Sequence, residues 1–187
     1  SLESYLSIGS IHEAGLLPGD RARWAPPEST PVTLLTSLLA LPDPLLLAAG
    51  ETVIPFDLTL DSSERTLVVS GPNTGGKTVL LKAVGLLGAM AQSGVIPPVG
   101  AGSQLPVFTR FFADIGDHQS LAANLSTFSA HLAALRNILS AADPATLVLL
   151  DEIGSGTDPT EGAALAAAAL LSLTRRGTTT LATTHLG

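Results

Sequence analysis

The chain contains no cysteine. Disulfides and thiolate metal sites are therefore excluded, and the composition fits a reducing compartment. Aromatic residues are scarce, with one Trp, one Tyr and five Phe in 187 residues, so a core has to be built mainly from Leu, Ala and Val. Positive charge is short as well: nine Lys and Arg stand against sixteen Asp and Glu, a net charge of −7. Duplex nucleic acid is held by cations that neutralise phosphates and release counterions. Here the only lysines are Lys77 and Lys82, and the arginines at 21, 23, 65, 110, 136, 175 and 176 are scattered. Arg175-Arg176 reads more simply as charge at a helix C-terminus. This segment is a poor nucleic-acid surface. It has no apolar run of about 18 residues free of charge and turn signals and nothing resembling a secretory leader, so the expectation is a cytoplasmic chain with no membrane partner. Its length suits one domain with a sizeable core.

Residues 1–50 are weakly patterned, with a Pro-rich connector from Pro18 to Pro31 and a short apolar segment, Leu34 to Leu41, stopped by Pro42. Thr52 to Leu60 reads as one or two strands interrupted at Pro55, and Thr66 to Ser70 as a strand. Lys77 to Gln92 carries Val79, Leu80, Ala83, Val84, Leu87 and Met90 at helical spacing and stops at Ser93-Gly94. Further on, the pattern predicts a strand at Val107 to Ala113, a polar loop from Asp114 to Asn124 and a helix over Thr127 to Ala141. A strand at Thr146 to Leu150, a loop from Asp151 to Thr160, an Ala-rich helix over Glu161 to Thr174 and a strand at Thr178 to Ala182 complete it. Strands alternating with helices predict an α/β fold with a mainly parallel sheet flanked by helices, and a small β-containing portion before it.

Between the strand and the first helix stands Gly71-Pro72-Asn73-Thr74-Gly75-Gly76-Lys77-Thr78. The pattern GxxxxGK followed by Ser or Thr is that of a phosphate-binding loop. Glycines let successive N–H groups turn inward around the β-phosphate, the ammonium reaches the β- and γ-phosphates, and the next hydroxyl binds Mg²⁺. The N-terminal end of the helix adds positive potential.

Downstream, Thr146 to Leu150 delivers Asp151 and Glu152 at a strand tip. Alone, such acids are most simply a turn or a cap. Behind a phosphate loop, Asp151 is assigned to magnesium through water, and Glu152 to orienting or deprotonating the attacking water. Asp151 to Gly154 also satisfies the DxxG motif of GTPases, but Asn73, Asn124 and Asn137 are none of them followed by Lys, so a guanine-recognition NKxD is missing. Where a transporter cassette would carry LSGGQ, this chain reads Leu125-Ser126-Thr127-Phe128-Ser129, which by spacing alone fits N-capping by Ser126 or Thr127. His185, at the tip of the last strand, could bond a γ-phosphate. His12, His118 and His131 have no comparable context and read as surface or core residues.

Ser70 through Val79, Ser126-Thr127-Phe128, Asp151 through Thr157 and Thr184-His185 together resemble the ATPase domain of the MutS family, over a match from about Thr66 to the end. Thr74 through Thr78, Phe112 through Asp117 with Gln119-Ser120, and Gly156 through Gly162 resemble its type-two bacterial branch, associated with recombination control and stalled ribosomes. The resemblance implies a P-loop NTPase of the ABC-ATPase type, hydrolysing ATP with Mg²⁺ as a homodimer with two composite sites. Gly71 to Val79 would hold the phosphates, with Asn73 near the γ-phosphate, Thr78 and Asp151 the metal, and Glu152 the water. Lys77 and His185 would join Glu152 in catalysis, His185 as a switch. Ser126 and Thr127 would reach the γ-phosphate bound to the other subunit.

An adenine pocket would draw on Val53, Ile54 and Phe56. Residues 1–50 would be the N-terminal portion of the ATPase domain and 51–187 its core, truncated at the C-terminus, with nucleic acid or a ribosome engaged through regions outside it. Two alternatives stay open. One is a nucleotide-gated dimerisation module with negligible turnover, and the other a P-loop kinase, for which no arginine-bearing lid segment is evident.

Overall fold

The computed structural model describes residues 23–25, 38–39, 55–56, 58–60, 63–71, 76–97, 99, 103–116 and 124–185, with backbone only at 23–25, 38–39, 55–56 and 124–127. Two compact units divide the chain, one of residues 1–62 with 83–107 and the other of 63–82 with 108–187. In the first, β1 (Arg23–Ala25) pairs parallel with β5 (Gln104–Pro106), Trp24 standing opposite Leu105. There too β2 (Leu38–Leu39) pairs antiparallel with β3 (Pro55–Phe56). Pro55 therefore lies in a strand pair rather than interrupting one, while Thr52 to Ile54 fall outside the described residues. Helix α1 (Lys77–Gln92) ends in the first unit. Gly94, at φ 78°, turns the chain so that Val95 N–H reaches the Met90 carbonyl at 2.9 Å and Gly94 N–H that of Ala91 at 3.2 Å. These are the two bonds of a Schellman C-cap, and they require the left-handed conformation that glycine adopts without a Cβ penalty.

The second unit is a four-stranded sheet, all parallel, in the spatial order 66–70, 179–184, 146–150, 110–114. Its strands are β4 (Thr66–Ser70), β6 (Arg110–Asp114), β7 (Thr146–Leu150) and β8 (Thr179–Thr184). The central strands β7 and β8 are buried throughout, whereas β4 and β6 form the edges. After β4 the next strand of this sheet is the far edge, β6, and the chain then steps back through β7 to β8. The direction of travel reverses at β6, and the first and last of the four strands in sequence, β4 and β8, therefore lie side by side.

One face is covered by α2 (Asn124–Ala141) and α3 (Pro159–Arg175). Leu135, Ile138 and Ala142 meet Val148, Leu150 and Ala182 of the sheet and Ala166, Ala169 and Leu173 of α3 in one cluster. Burying a Leu or Ile side chain there stabilises by about 1.5–3 kcal/mol, and the alanines let α3 lie close.

Helix α3 begins where its caps dictate. The Asp158 carboxylate accepts from Thr160 N–H at 2.9 Å and Glu161 N–H at 3.3 Å, with Pro159 at the first position. The helix thus starts two residues before the expected Glu161. Strand β6 starts at Arg110 rather than Val107, in register with β7 from Arg110↔Thr146 to Asp114↔Leu150. At the α2–β7 turn the Thr146 hydroxyl and Ala145 N–H donate to Asp143 Oδ1, and Arg110 lies 2.5 Å from Oδ2. The Thr146 hydroxyl foremost, with that N–H and Arg110, holds the Asp143 carboxyl below its ordinary range, against the opposing effect of desolvation.

Candidate active site

Parallel strands bring all four carboxyl ends, Ser70, Asp114, Leu150 and Thr184, to one edge of the sheet. The chain leaves β4 through Gly71, at φ 143°, and enters α1 from Gly76, at φ 75°, whose carbonyl accepts the Leu80 N–H at 3.0 Å. Pro72 to Gly75 lie outside the described residues. Lys77 is 5% exposed, and its ammonium donates to the Gly71 carbonyl, tying the exit of the loop to its entrance. Val79, two residues later, is about half exposed, at 47%.

Thr78 Oγ1 donates to Asp151 Oδ2 at 2.7 Å, so residues 73 positions apart in sequence meet at the carboxyl edge. The other carboxylate oxygen, Oδ1, accepts from Thr183 Oγ1 at 2.5 Å, and Thr183 Oγ1 in turn accepts the Glu152 N–H at 2.8 Å. Ile153 N–H closes on the Thr183 carbonyl at 2.9 Å. Asp151 is buried, with each oxygen held by a threonine. A hydroxyl and a carboxylate side by side form an all-oxygen donor set. Hard Mg²⁺ suits such a set, commonly taking one or two carboxylates and completing its shell with phosphate and water. Among the described residues no group of three or more His, Cys, Asp or Glu could hold a metal by itself.

Glu152 is the one non-glycine residue with positive φ among the described residues, at 52°. For an L-residue this costs about 1–2 kcal/mol, and such strain persists where surrounding bonds over-determine it. Here the bonds from Glu152 N–H and Ile153 N–H to Thr183 do so. The carboxylate is half-exposed and lies 3.0 Å, through Oε1, from His185 Nε2. Four of the residues singled out in sequence, Thr78, Asp151, Glu152 and His185, are thereby linked through one network with Thr183.

Ser126 and Thr127 fall within the first turn of α2, which begins at Asn124. They are inside the helix rather than at its N-cap, because the helix runs three residues further toward the N-terminus than its apolar periodicity indicated. Their side chains, Val53 and Ile54, and the side chain of Phe56 lie outside the described residues.

Three features were missed. Thr183 sits beside Asp151 because Leu150 pairs with Ala182, and the Thr-Thr-His run drew attention only to its histidine. Thr183→Val, close in shape but without the hydroxyl, should lower stability by about 1–3 kcal/mol, the cost of an unmet buried donor or acceptor. Thr183→Ser should recover most of that loss in denaturant midpoints. Gly162 was read only as part of a family-like run, yet a Cβ there would overlap the Gly154 carbonyl oxygen, backbone of the loop that follows the two acids. Helix propensity alone would make Gly162→Ala stabilising by about 1 kcal/mol. The overlap predicts the opposite sign, a loss of about 1–3 kcal/mol in urea unfolding. Finally His131 is not an isolated surface or core residue: its Nδ1 lies 2.6 Å from Asp114 Oδ2, beside the cleft that Asp151 and Glu152 also line.

Residues 67–187 match MutS domain V. The chain belongs to that family. Proteins named Endonuclease MutS2 are similar to it: that of Gemmatimonas aurantiaca is 67% identical over 144 residues, 77% of this chain and 18% of the relative. Those of Pelotomaculum thermopropionicum, 55% identical over 141 residues (75% and 18%), and Halalkalibacterium halodurans, 53% identical over 139 residues (74% and 18%), agree. The chain thus spans about 18% of the length of these relatives. Their shared name supports the type-two branch for this MutS domain V, whose mixed α/β unit with a parallel sheet carries the described site. No helix among the described residues is long and apolar enough to cross a membrane.

Proposed function

We propose that this MutS domain V chain is a P-loop ATPase core that binds MgATP at the carboxyl edge of the sheet and hydrolyses it by in-line attack of water. The observation that carries this reading is the 2.7 Å bond between Thr78 and Asp151 with Glu152 next in line, held by Thr183 and His185. Gly71 to Val79 cradle the phosphates, and Lys77 neutralises their charge. Thr78 and Asp151 hold the magnesium, which when bound screens the β- and γ-phosphate oxygens. Glu152 accepts a proton from, or aligns, the attacking water, and His185 orients the Glu152 carboxylate and registers the γ-phosphate. Ser126 and Thr127, in the first turn of α2, complete the site of a second copy, whose own helix completes this one. The name Endonuclease MutS2 borne by the relatives supports DNA as a target of the intact machine, and the branch adds the ribosome, each engaged through regions outside this chain.

Steady-state hydrolysis measured against protein concentration tests the shared site. Specific activity should rise with concentration and level off as dimers fill. Substantial turnover that stays flat in a monomeric sample would sink the composite site, whereas ATP-dependent pairing with negligible turnover at every concentration would replace the enzyme with a nucleotide-gated dimerisation module.

A further inference from the structure

Asp114 makes two connections at once. Its backbone carbonyl accepts the Asp151 N–H at 2.9 Å, and its carboxylate meets His131 Nδ1 at 2.6 Å. The first contact continues the β6–β7 ladder, so the carboxylate is held at a fixed height beside the acid-bearing tip. The second reaches α2 one helical turn after Thr127. Both side chains are mostly buried, with 20% of His131 and 22% of Asp114 exposed. A charged or polar bond in such a place is screened less than one in open water.

Among the described residues, apolar packing is light at this end of α2. Of its residues from Phe128 onward, the first that is fully buried is Leu135, and Phe128, His131 and Ala134 are half-buried while those between are exposed. The helix is gripped by the core from Leu135 and Ile138 toward its C-terminus. Nearer the site the polar contact to Asp114 adds a hold, beside a cleft lined by Asp114, His131, Asp151 and Glu152. The loop after Glu152 runs along the same turn, Gly156 lying beside Phe128.

We propose that Asp114 and His131 are positioning residues, a clasp that ties the first turns of α2 to the Asp151-Glu152 tip and sets where the Ser126-Thr127 turn is presented to a second copy. The inference rests on the shared-site reading above. It adds that the metal-and-water end of one site and the helix start offered to the other are mechanically joined within a single chain, through one residue. Neither side chain touches nucleotide in this scheme. Their effect is on alignment, and a displacement of about 1 Å at a reacting centre can cost about 10²-fold in rate.

The test uses the full chain, with turnover measured at saturating protein and MgATP binding measured separately by calorimetry. His131→Ala and Asp114→Ala should each lower kcat by about 10–100-fold while KM, and the stoichiometry of bound nucleotide, stay within about threefold of the parent. The double variant should be no slower than the worse single one, since both remove one contact. His131→Asn, whose amide nitrogen can occupy the place of Nδ1, should recover most of the rate. A merely structural role predicts additive losses, falling nucleotide stoichiometry and no rescue by Asn; any of these overturns the clasp. Unaltered kcat in His131→Ala overturns it as well, and because alanine is the strongest helix former, this variant keeps the fold. A Ser126→Ala, Thr127→Ala variant separates the two readings. If it is inactive while His131→Ala is not, only the clasp falls. If it turns over normally, the shared site falls and takes with it the route by which the clasp would act.

Discussion

Lys77→Ala should weaken MgATP binding by about 10²–10⁴-fold, read by calorimetry. Lys77 is the lysine that the fold buries, and its ammonium is already held at the loop entrance by the Gly71 carbonyl. In the proposed site a nucleotide would therefore meet a cation whose position has been set before binding. Charge-assisted hydrogen bonds contribute about 1.5–3 kcal/mol each, and the loss of two corresponds to that range of affinity. Lys77→Arg should not rescue, because a broad planar guanidinium cannot occupy a site shaped for a compact ammonium. Lys82→Ala is the control: this second lysine is exposed on α1, and its removal should leave affinity within about threefold. Equal affinities for the parent and Lys77→Ala would remove the phosphate loop from the proposed site.

Glu152→Gln should act in the opposite way, leaving MgATP binding nearly intact while kcat falls by about 10²–10⁴-fold, the usual worth of a positioned acid or base. Glutamine keeps an oxygen that can face His185, and it meets the same backbone cost at φ 52°, so the geometry is preserved while the basic carboxylate is lost. ATP-bound dimers should accumulate, visible as an ATP-dependent shift in sedimentation. Hydrolysis at the parental rate would exclude Glu152 from the chemistry. Read together, the two substitutions divide the proposed site. Under the proposed function Lys77 would govern whether the nucleotide arrives, and Glu152 whether anything then happens to it.

The residues of the proposed site were legible because loops at strand and helix boundaries have local rules. A glycine-rich loop before a helix, and an apolar run ending in acids, are each read within about ten residues, and β4, α1 and β7 occupy their expected spans. Elements that depend on distant partners were less legible. Strand β5 is three residues long and exists by pairing with β1, 79 or more positions earlier in the chain. The start of β6 follows from its register with β7, and α2 extends to Asn124, ahead of the first residue that its apolar periodicity marks.

The same division holds within the site. Sequence by itself determined which side chains could do chemistry, Lys77, Thr78, Asp151, Glu152 and His185, because each type carries its charge or hydroxyl wherever it stands. Only the tertiary structure decided their supports. Thr183 reaches Asp151 through the pairing of β7 with β8, Gly162 is required because a neighbouring turn carries the Gly154 carbonyl against α3, and His131 finds Asp114 across a strand and a helix. Chemical capacity belongs to the residue and survives in a linear reading. Register, close approach and a partner's position are properties of pairs far apart in the chain, and they come into being only when the sheet forms.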